Sequence, residues 1–361
     1  MNVPDSISSL RAYQPGKPTE ELEREYGISN SIKLASNENP LGPSPCAIEA
    51  ISKSLKNLHR YPDGNSYNLR KRLAEHLNVP FNQIVLGNGS NEIIELLVRT
   101  FLCPGEEVII PAPSFLMYKI MVQAASGVPV EVPLTKYVLD LDGMLKRITS
   151  KTRMIFINNP NNPTGTIVKR REMEQFLEEV PNDVIVIIDE AYIEFVRDPD
   201  CPRGLEYVDG QNMVVTLRTF SKVYGLAGLR IGYGVMKEEV SEFINRVRQP
   251  FNTNTLAQIG ALAALDDRAF FEETIRLVHE GLDFLYHELD RMGVRYLPTE
   301  ANFLLIDLGR DSEQVYREML KRGVIIRSMT PYGYPNCIRI TVGRYEENLR
   351  FIETLKEVLQ V

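Results

Sequence analysis

The sequence predicts an α/β protein with two parts: a large domain whose mostly parallel, seven-stranded sheet is sandwiched by helices, and a smaller α+β domain formed by the N-terminal arm and the C-terminal part. Three observations predict it. Between residues 83 and about 246, short apolar runs alternate with amphipathic stretches, the pattern of strand–helix–strand units. Several runs are apolar on both faces, as in Val184-Ile185-Val186-Ile187-Ile188; such runs fit central strands covered by helices, because a one-sided strand would alternate with polar residues. Beyond Val240 the character changes to long helical stretches followed by short strands.

The strands of the large sheet are expected at 84–86, 108–110, 128–132, 154–157, 184–188, 213–217 and 229–235. Between them, 91–101 and 169–179 read as helices; the first places Ile93, Ile94, Leu97 and Phe101 on one side. Further on, helices are expected at 254–265 and 269–292, then strands at 294–297, 302–306 and 338–342 around a helix near 312–321. The expected division is residues 1–60 as the arm and part of the small domain, 61–250 as the large domain, and 251–361 as an interdomain helix with the rest of the small domain.

At 361 residues the chain can bury one large core and a satellite. Apolar residues make up 43% and charged residues 25%, with no disordered bias and no internal repeat. The net charge is −7 and no basic run could neutralise a phosphate backbone, so nucleic acid is not an expected partner. The first residues lack a basic segment followed by an apolar one, and the longest strongly apolar run is Val184 to Ile188. A cytoplasmic protein, neither exported nor inserted in a membrane, is the expectation. Cys46, Cys103, Cys201 and Cys337 lie far apart, and His59, His76, His279 and His287 show no ligand spacing with them. Free thiols in a reducing compartment and no metal follow as expectations.

Four segments carry chemistry, each close behind an expected strand. In Thr219-Phe220-Ser221-Lys222-Val223-Tyr224-Gly225 with Leu229-Arg230, Lys222 stands among apolar and hydroxyl residues. Desolvation and a nearby cation such as Arg230 would lower its pKa toward the neutral amine that imine chemistry needs. Thr219, Ser221 and Arg230 suit a phosphate dianion. The strand 184–188 ends in Asp189-Glu190-Ala191-Tyr192, which puts a carboxylate where open α/β sheets bind ligands. A magnesium-binding Asp-Glu of an ATPase would need a G-x-x-x-x-G-K-[ST] loop, and the chain has none. Asn158-Asn159-Pro160-Asn161-Asn162-Pro163-Thr164-Gly165 has good turn chemistry and amides that can meet a ligand oxygen. Gly87-Asn88-Gly89-Ser90-Asn91-Glu92 opens a helix whose N-terminus can bind an anion. It is no dinucleotide fingerprint, since Glu92 stands where the third glycine belongs.

In their order and spacing these segments resemble the fold-type I pyridoxal-phosphate aminotransferases, and within them the histidinol-phosphate aminotransferase branch, over essentially the whole chain. The resemblance implies pyridoxal 5'-phosphate as cofactor, carried on Lys222, with Asp189 bonding the pyridine nitrogen. Tyr192 and Asn162 match the residues on the phenolic oxygen, and Phe115 of Pro113-Ser114-Phe115 the ring that stacks on the pyridine. Ser90, Asn91, Thr219, Ser221 and Arg230 match the phosphate ligands. Lys222, Asp189 and Tyr192 are thus the implied catalytic set.

Leu34-Ala35-Ser36-Asn37-Glu38-Asn39-Pro40-Leu41-Gly42 resembles the branch's N-terminal signature, and Tyr13 with Pro15-Gly16-Lys17 its substrate-contacting arm. Arg60-Tyr61-Pro62 resembles the segment whose tyrosine reaches the partner subunit's cofactor phosphate, which implies a homodimer. Cys337-Ile338-Arg339-Ile340-Thr341-Val342-Gly343 resembles the strand whose arginine holds the substrate anion. Tyr13, Asn37, Arg327, Arg339 and Arg350 are therefore the implied substrate residues, for L-histidinol phosphate as donor and 2-oxoglutarate, returning as glutamate, as acceptor. The chain departs from the branch in Arg344-Tyr345-Glu346-Glu347, where many relatives read T-R-E-E, and in Asn91, where some have aspartate. An aromatic amino acid aminotransferase and a phosphothreonine-type decarboxylase use the same scaffold and stay open.

Overall fold

The computed structural model describes residues 3–10, 12 and 16–360. Tyr13 lies outside the described residues. The arm contributes β1 (Ile32–Lys33). The large sheet follows with β2 (Ile84–Gly87), β3 (Glu107–Ala112), β4 (Val128–Pro133), β5 (Thr152–Asn158), β6 (Ile185–Asp189), β7 (Met213–Thr219) and β8 (Gly232–Met236). Their order across the sheet is β2-β8-β7-β6-β5-β3-β4. From β7 to β4 every pairing is parallel, whereas β8 runs antiparallel between β2 and β7.

Alternation of side chains explains why the central strands are apolar throughout. On β5, Met154 and Phe156 face the cluster with Ile94, Leu97, Val108 and Leu217, while Ile155 and Ile157 face the one with Val132, Met173, Phe176 and Val214. Strand β6 divides likewise, Ile185 and Ile187 against Val186 and Ile188. With a side-chain period of two and helices on both faces, neither set meets water. The edge strand β4 is only partly buried and carries Pro129 and Pro133, which suits an edge with no further partner to accept.

The expected strand 229–235 begins three residues later, at Gly232. Ala227–Leu229 tighten into a 3₁₀ turn and Arg230 adopts a left-handed conformation with φ 58°, so extended pairing cannot start before it.

The C-terminal part supplies β9 (Arg295–Leu297), β10 (Phe303–Asp307), β11 (Val324–Ile325), β12 (Arg327–Ser328) and β13 (Cys337–Thr341). Four of these form an antiparallel sheet of order β12-β13-β10-β9, and β11 pairs in parallel with β1. The arm is tied in on both sides: Leu34 donates its amide to Ile325 O at 2.8 Å, and Thr341 donates to Leu34 O at 2.7 Å. The long helix Arg268–Met292 starts on the Asp267 side chain, which accepts from Phe270 N, and stops at Gly293 with φ 65°. One hydrophobic cluster joins Leu86, Tyr192, Phe220 and Ile231 beside the large sheet to Phe303, Ile340, Phe351 and Leu355 of the C-terminal part. The ends of the large sheet therefore face the small one across a shared core. Among the described residues no helix is long and apolar enough to cross a membrane.

Candidate functional site

The parallel strands β3, β5, β6 and β7 end on one edge of the sheet, the edge at which open α/β sheets bind ligands. A cavity of about 340 Å³ opens there, within the range that encloses small molecules and cofactors. Ser90, Asn91, Phe115, Asn158, Asn162, Asp189, Tyr192, Thr219, Ser221, Lys222 and Arg230 all line it, with Ser36 and Glu38 from the arm. Residues as far apart in sequence as Ser36 and Arg230 thus meet because six segments converge on the same side.

Lys222 lies in the connection from β7 to β8, half-buried, with Nζ 3.4 Å from Ser36 O and 5.6 Å from the Tyr192 ring centre. Burial, then the positive charges of Arg339 and Arg230, outweigh Glu38 and Asp189 and bring its pKa down to about 8. A useful fraction is thus neutral near physiological pH.

Asp189 is buried at the end of β6. Its Oδ2 accepts from the Tyr118 hydroxyl at 2.6 Å and its Oδ1 from Ala191 N at 3.2 Å. Burial pushes its pKa up to about 6 against the pull of those two donors. Behind it, Glu190 accepts from Arg218 Nε at 2.8 Å and from Gly204 N at 2.5 Å, both charged side chains being buried. Removing one partner of such a pair costs about 3–5 kcal/mol, so the junction of β6 and β7 is rigidly held.

The anion corner is the start of the helix Ser90–Phe101. No side chain caps this end, so its first amides and the helix dipole are offered to a ligand. Gly89, at φ 79° and ψ 161°, sits in a region open essentially to glycine alone, and a Cβ there would lie 2.3 Å from Arg230 Nη2. The guanidinium therefore lies over bare backbone. Arg230 Nη1 also donates to Ser221 Oγ at 3.3 Å and Ala227 O at 3.1 Å. Thr219 Oγ1 accepts from Ser221 N at 3.0 Å. Since both hydroxyl oxygens accept from within the chain, each keeps its O–H to donate outward.

Tyr192 is buried, and its hydroxyl oxygen accepts from Asn37 Nδ2 at 2.9 Å. Burial raises its pKa to about 12, so it stays a donor across the working range. Asn37 has φ 54° and is held in turn by Thr341 and Asn302. Arg339, buried on β13, donates to Asn162 Oδ1 and, at 3.0 Å, to Ala35 O. Arg327 is its cross-strand partner on β12, which puts the two on one face. The loop 158–165 is fixed by Ser114 and Thr164 on Asn161, and by Gly165, φ 73°, whose Cβ would collide with Thr299 Oγ1 at 1.9 Å.

Asn37, Arg327 and Arg339 do not line the cavity themselves, though Asn37 and Arg339 bond residues that do, and two further expected residues lie away from it. Arg350 donates to the carbonyls of Asn30, Arg322 and Gly323 and does not line the cavity. Tyr61 is 83% exposed and stacks on Phe251 at 4.8 Å, away from its own chain's cavity. Tyr13 is outside the described residues. Sequence reasoning placed Ser36, Glu38 and Asn158 in marked segments without naming them as site residues, and it missed Tyr118 altogether. Asn158 closes a strand, the same signal that marks Asp189, whereas Tyr118 lies on an apolar helix face and carries no such mark.

The chain matches the profile described as "Aminotransferase class I and II" over residues 29–355. It belongs to that family. Among curated proteins it is 48% identical to the histidinol-phosphate aminotransferase of Desulfotalea psychrophila, over 100% of this chain and 96% of that protein. With the one from Moorella thermoacetica it shares 45%, over 98% and 92%. Among solved structures it is similar to the histidinol-phosphate aminotransferase from Sinorhizobium meliloti in complex with pyridoxal-5'-phosphate, with a TM-score of 0.91 and 27% identity over 99% of this chain and 97% of that one. The large-sheet architecture expected from the sequence is that of this family member.

The donor set fits pyridoxal phosphate. Asn91 Oδ1, Asn158 Oδ1 and Arg339 Nε are buried without a partner, an arrangement that is costly unless a ligand completes it. Amine, carboxylate, phenol and anion cup stand around one cavity, each of the polarity the cofactor's aldehyde, ring nitrogen, phenolic oxygen and phosphate require.

Proposed function

We propose that this protein is a pyridoxal-phosphate-dependent transaminase that moves the amino group of L-histidinol phosphate to 2-oxoglutarate, giving imidazole acetol phosphate and glutamate, as a step of histidine biosynthesis. The observation that carries the reading is Lys222, with its lowered pKa, between Asp189 and the Ser90–Arg230 anion cup in a single cavity. When bound, the cofactor supplies an electron-accepting ring that makes the carbon beside the amine acidic.

The chain's own groups do the rest. Lys222 Nζ would hold the cofactor, and as the free amine it would take the proton from the donor's amine-bearing carbon. Asp189 would bond the ring nitrogen and keep its proton in place. Tyr192 and Asn162 would hold the phenolic oxygen, and Phe115 would stack on the ring. Ser90, Asn91, Thr219, Ser221 and Arg230 hold the phosphate. Arg339, with Arg327 beside it on the neighbouring strand, receives the donor's phosphate and the acceptor's carboxylate in turn. Tyr13, which lies outside the described residues, and Asn37 are proposed to serve the substrate. Asn37 does so at one remove, since its amide is committed to Tyr192.

The working unit is a cytoplasmic homodimer, in which Tyr61 reaches the phosphate of the neighbouring subunit. Ile48, Leu55, Leu58, Tyr61 and Tyr67 are all exposed, more apolar surface within one short stretch than a lone chain usually leaves uncovered.

The test has two parts. Borohydride reduction followed by mass mapping should place the cofactor on Lys222, and an adduct on another lysine ends the reading. A donor panel should then rank histidinol phosphate above phenylalanine, tyrosine and histidinol, with loss of the phosphate costing at least about two orders of magnitude in kcat/KM. Equal or better efficiency with phenylalanine would replace the donor by an aromatic amino acid. Carbon dioxide release without use of 2-oxoglutarate would make it a decarboxylase.

A further inference from the structure

Tyr118 lies in the helix Met117–Ala124 and is completely buried. Its ring stacks on Phe156, centroids 4.3 Å apart and planes 11° off parallel, and meets the edge of Phe115 at 5.5 Å. Phenylalanine would fill this slot as well as tyrosine. What tyrosine adds is a hydroxyl in an apolar core, unfavourable there unless it is bonded. That hydroxyl goes to Asp189 Oδ2 at 2.6 Å, the short distance of a charge-assisted O–H···O⁻ bond. The two oxygens of Asp189 are thus each held by a donor, Tyr118 O–H on one and Ala191 N–H on the other.

We propose that Tyr118 is a positioning residue for the transamination: its hydroxyl holds Asp189 ionised and correctly turned toward the cofactor's ring nitrogen, although Tyr118 itself does not line the cavity. The proposal rests on the cofactor reading given above. Phe115, which does line the cavity, leans on the same ring, so one side chain sets both the acid below the pyridine nitrogen and the wall that covers the pyridine.

The charged and titratable groups facing Asp189 are Tyr118 from the helix 117–124, Lys222 from the β7–β8 connection, and Glu190 and Tyr192 from the end of β6. Burial and Glu190 favour the neutral acid; the Tyr118 hydroxyl, the Ala191 amide and Lys222 favour the carboxylate. Taking away the hydroxyl removes the largest of the groups that favour the charged form. The neutral acid is then populated at higher pH, and a neutral carboxyl cannot hold a protonated ring nitrogen.

Tyr118→Phe keeps the ring packing and deletes the one bond. In the holoenzyme the acidic limb of kcat/KM should move up by about one pH unit. The bound cofactor's absorbance titration should shift in the same direction. Its release into dialysis should be faster by roughly tenfold, with kcat falling more than KM changes. The urea midpoint of the cofactor-free protein should fall modestly, since Asp189 Oδ2 loses its donor while the ring packing is kept. In an Asp189→Asn background the same substitution should move neither the limb nor the release rate, because the group it acts through is gone. A Tyr118→Phe enzyme with the parent's acidic limb and release rate overturns the proposal, as does an equal effect in the Asp189→Asn background, including the case in which the single variant folds poorly. A parent protein that takes no cofactor on Lys222 refutes the cofactor reading instead, and borohydride mapping tells the two failures apart.

Discussion

Substituting Gly89 by alanine tests the anion corner at its narrowest point. The backbone there has φ 79° and ψ 161°, and holding a residue with a side chain in that region costs about 1–3 kcal/mol. The added methyl carbon would also lie 2.3 Å from Arg230 Nη2 and 3.1 Å from its Cζ. Because these atoms end a flexible side chain, the guanidinium moves rather than the helix, and it leaves its place beside Ser221 Oγ. A charge-assisted contact is worth about 1.5–3 kcal/mol, which at 1.4 kcal/mol per factor of ten makes cofactor binding weaker by roughly ten- to a hundredfold. Urea unfolding of the cofactor-free protein measures the first cost, and titration with pyridoxal phosphate followed by visible absorbance measures the second. In an Arg230→Ala background the substitution should keep its stability cost and lose its effect on affinity, since no guanidinium remains to be displaced. A Gly89→Ala protein that binds cofactor as tightly as the parent and unfolds at the same urea concentration would refute both the strain and the steric argument.

Three further outcomes are expected. An amine-directed reagent applied to cofactor-free protein should find one lysine that titrates near pH 8, absent from Lys222→Met; because the unfolded chain binds this proton up to its ordinary pKa of 10.5, the same group makes the cofactor-free fold gain stability as pH rises from about 8 to 10.5. Tyr61→Phe should speed cofactor loss without shifting the unfolding midpoint, measured by dialysis and denaturation, and a chain that is monomeric at micromolar concentration yet turns over normally would contradict the shared site. Arg339→Ala should slow both half-reactions by at least about a hundredfold in single-turnover measurements, whereas a defect confined to one would mean that donor and acceptor use different anchors.

The large sheet was readable because β5 and β6 are buried on both faces and so carry unbroken apolar runs, and because Asn158 and Asp189 stand where those runs stop. Lys222 stood out because it follows closely on a strand. What escaped reading depends on partners distant in the chain. Nothing local tells that Tyr118 meets Asp189, 71 residues away, or that Asn37 meets Tyr192, 155 residues away. Strand β1 has two residues, too few for any period to show. The start of β8 was misjudged because the apolar run through Leu229 and Ile231 continues across Arg230, whose left-handed backbone leaves no trace in hydropathy. Arg350 matched a family candidate by type and neighbourhood, yet its guanidinium is occupied by three backbone carbonyls.

The antiparallel course of β8 has a consequence for how the two halves of the site are scaled to each other. A parallel strand after β7 would have required a crossover to the far edge of the sheet. Running backward, β8 lets the chain turn round at the ligand edge, so Lys222 and Arg230 share one short connection, pinned where Phe220 N meets Ile231 O at 3.2 Å and Leu226 N meets Phe220 O at 3.0 Å. The distance from the Lys222 amine to the Arg230 guanidinium is therefore set mainly within that loop, like the gauge of a jig. Arg339 stands on the other sheet and reaches the cofactor side through Asn162. The reach from Lys222 to Arg339 is therefore set by how the two sheets pack through their shared core, and the reach from Lys222 to Arg230 by one turn of chain.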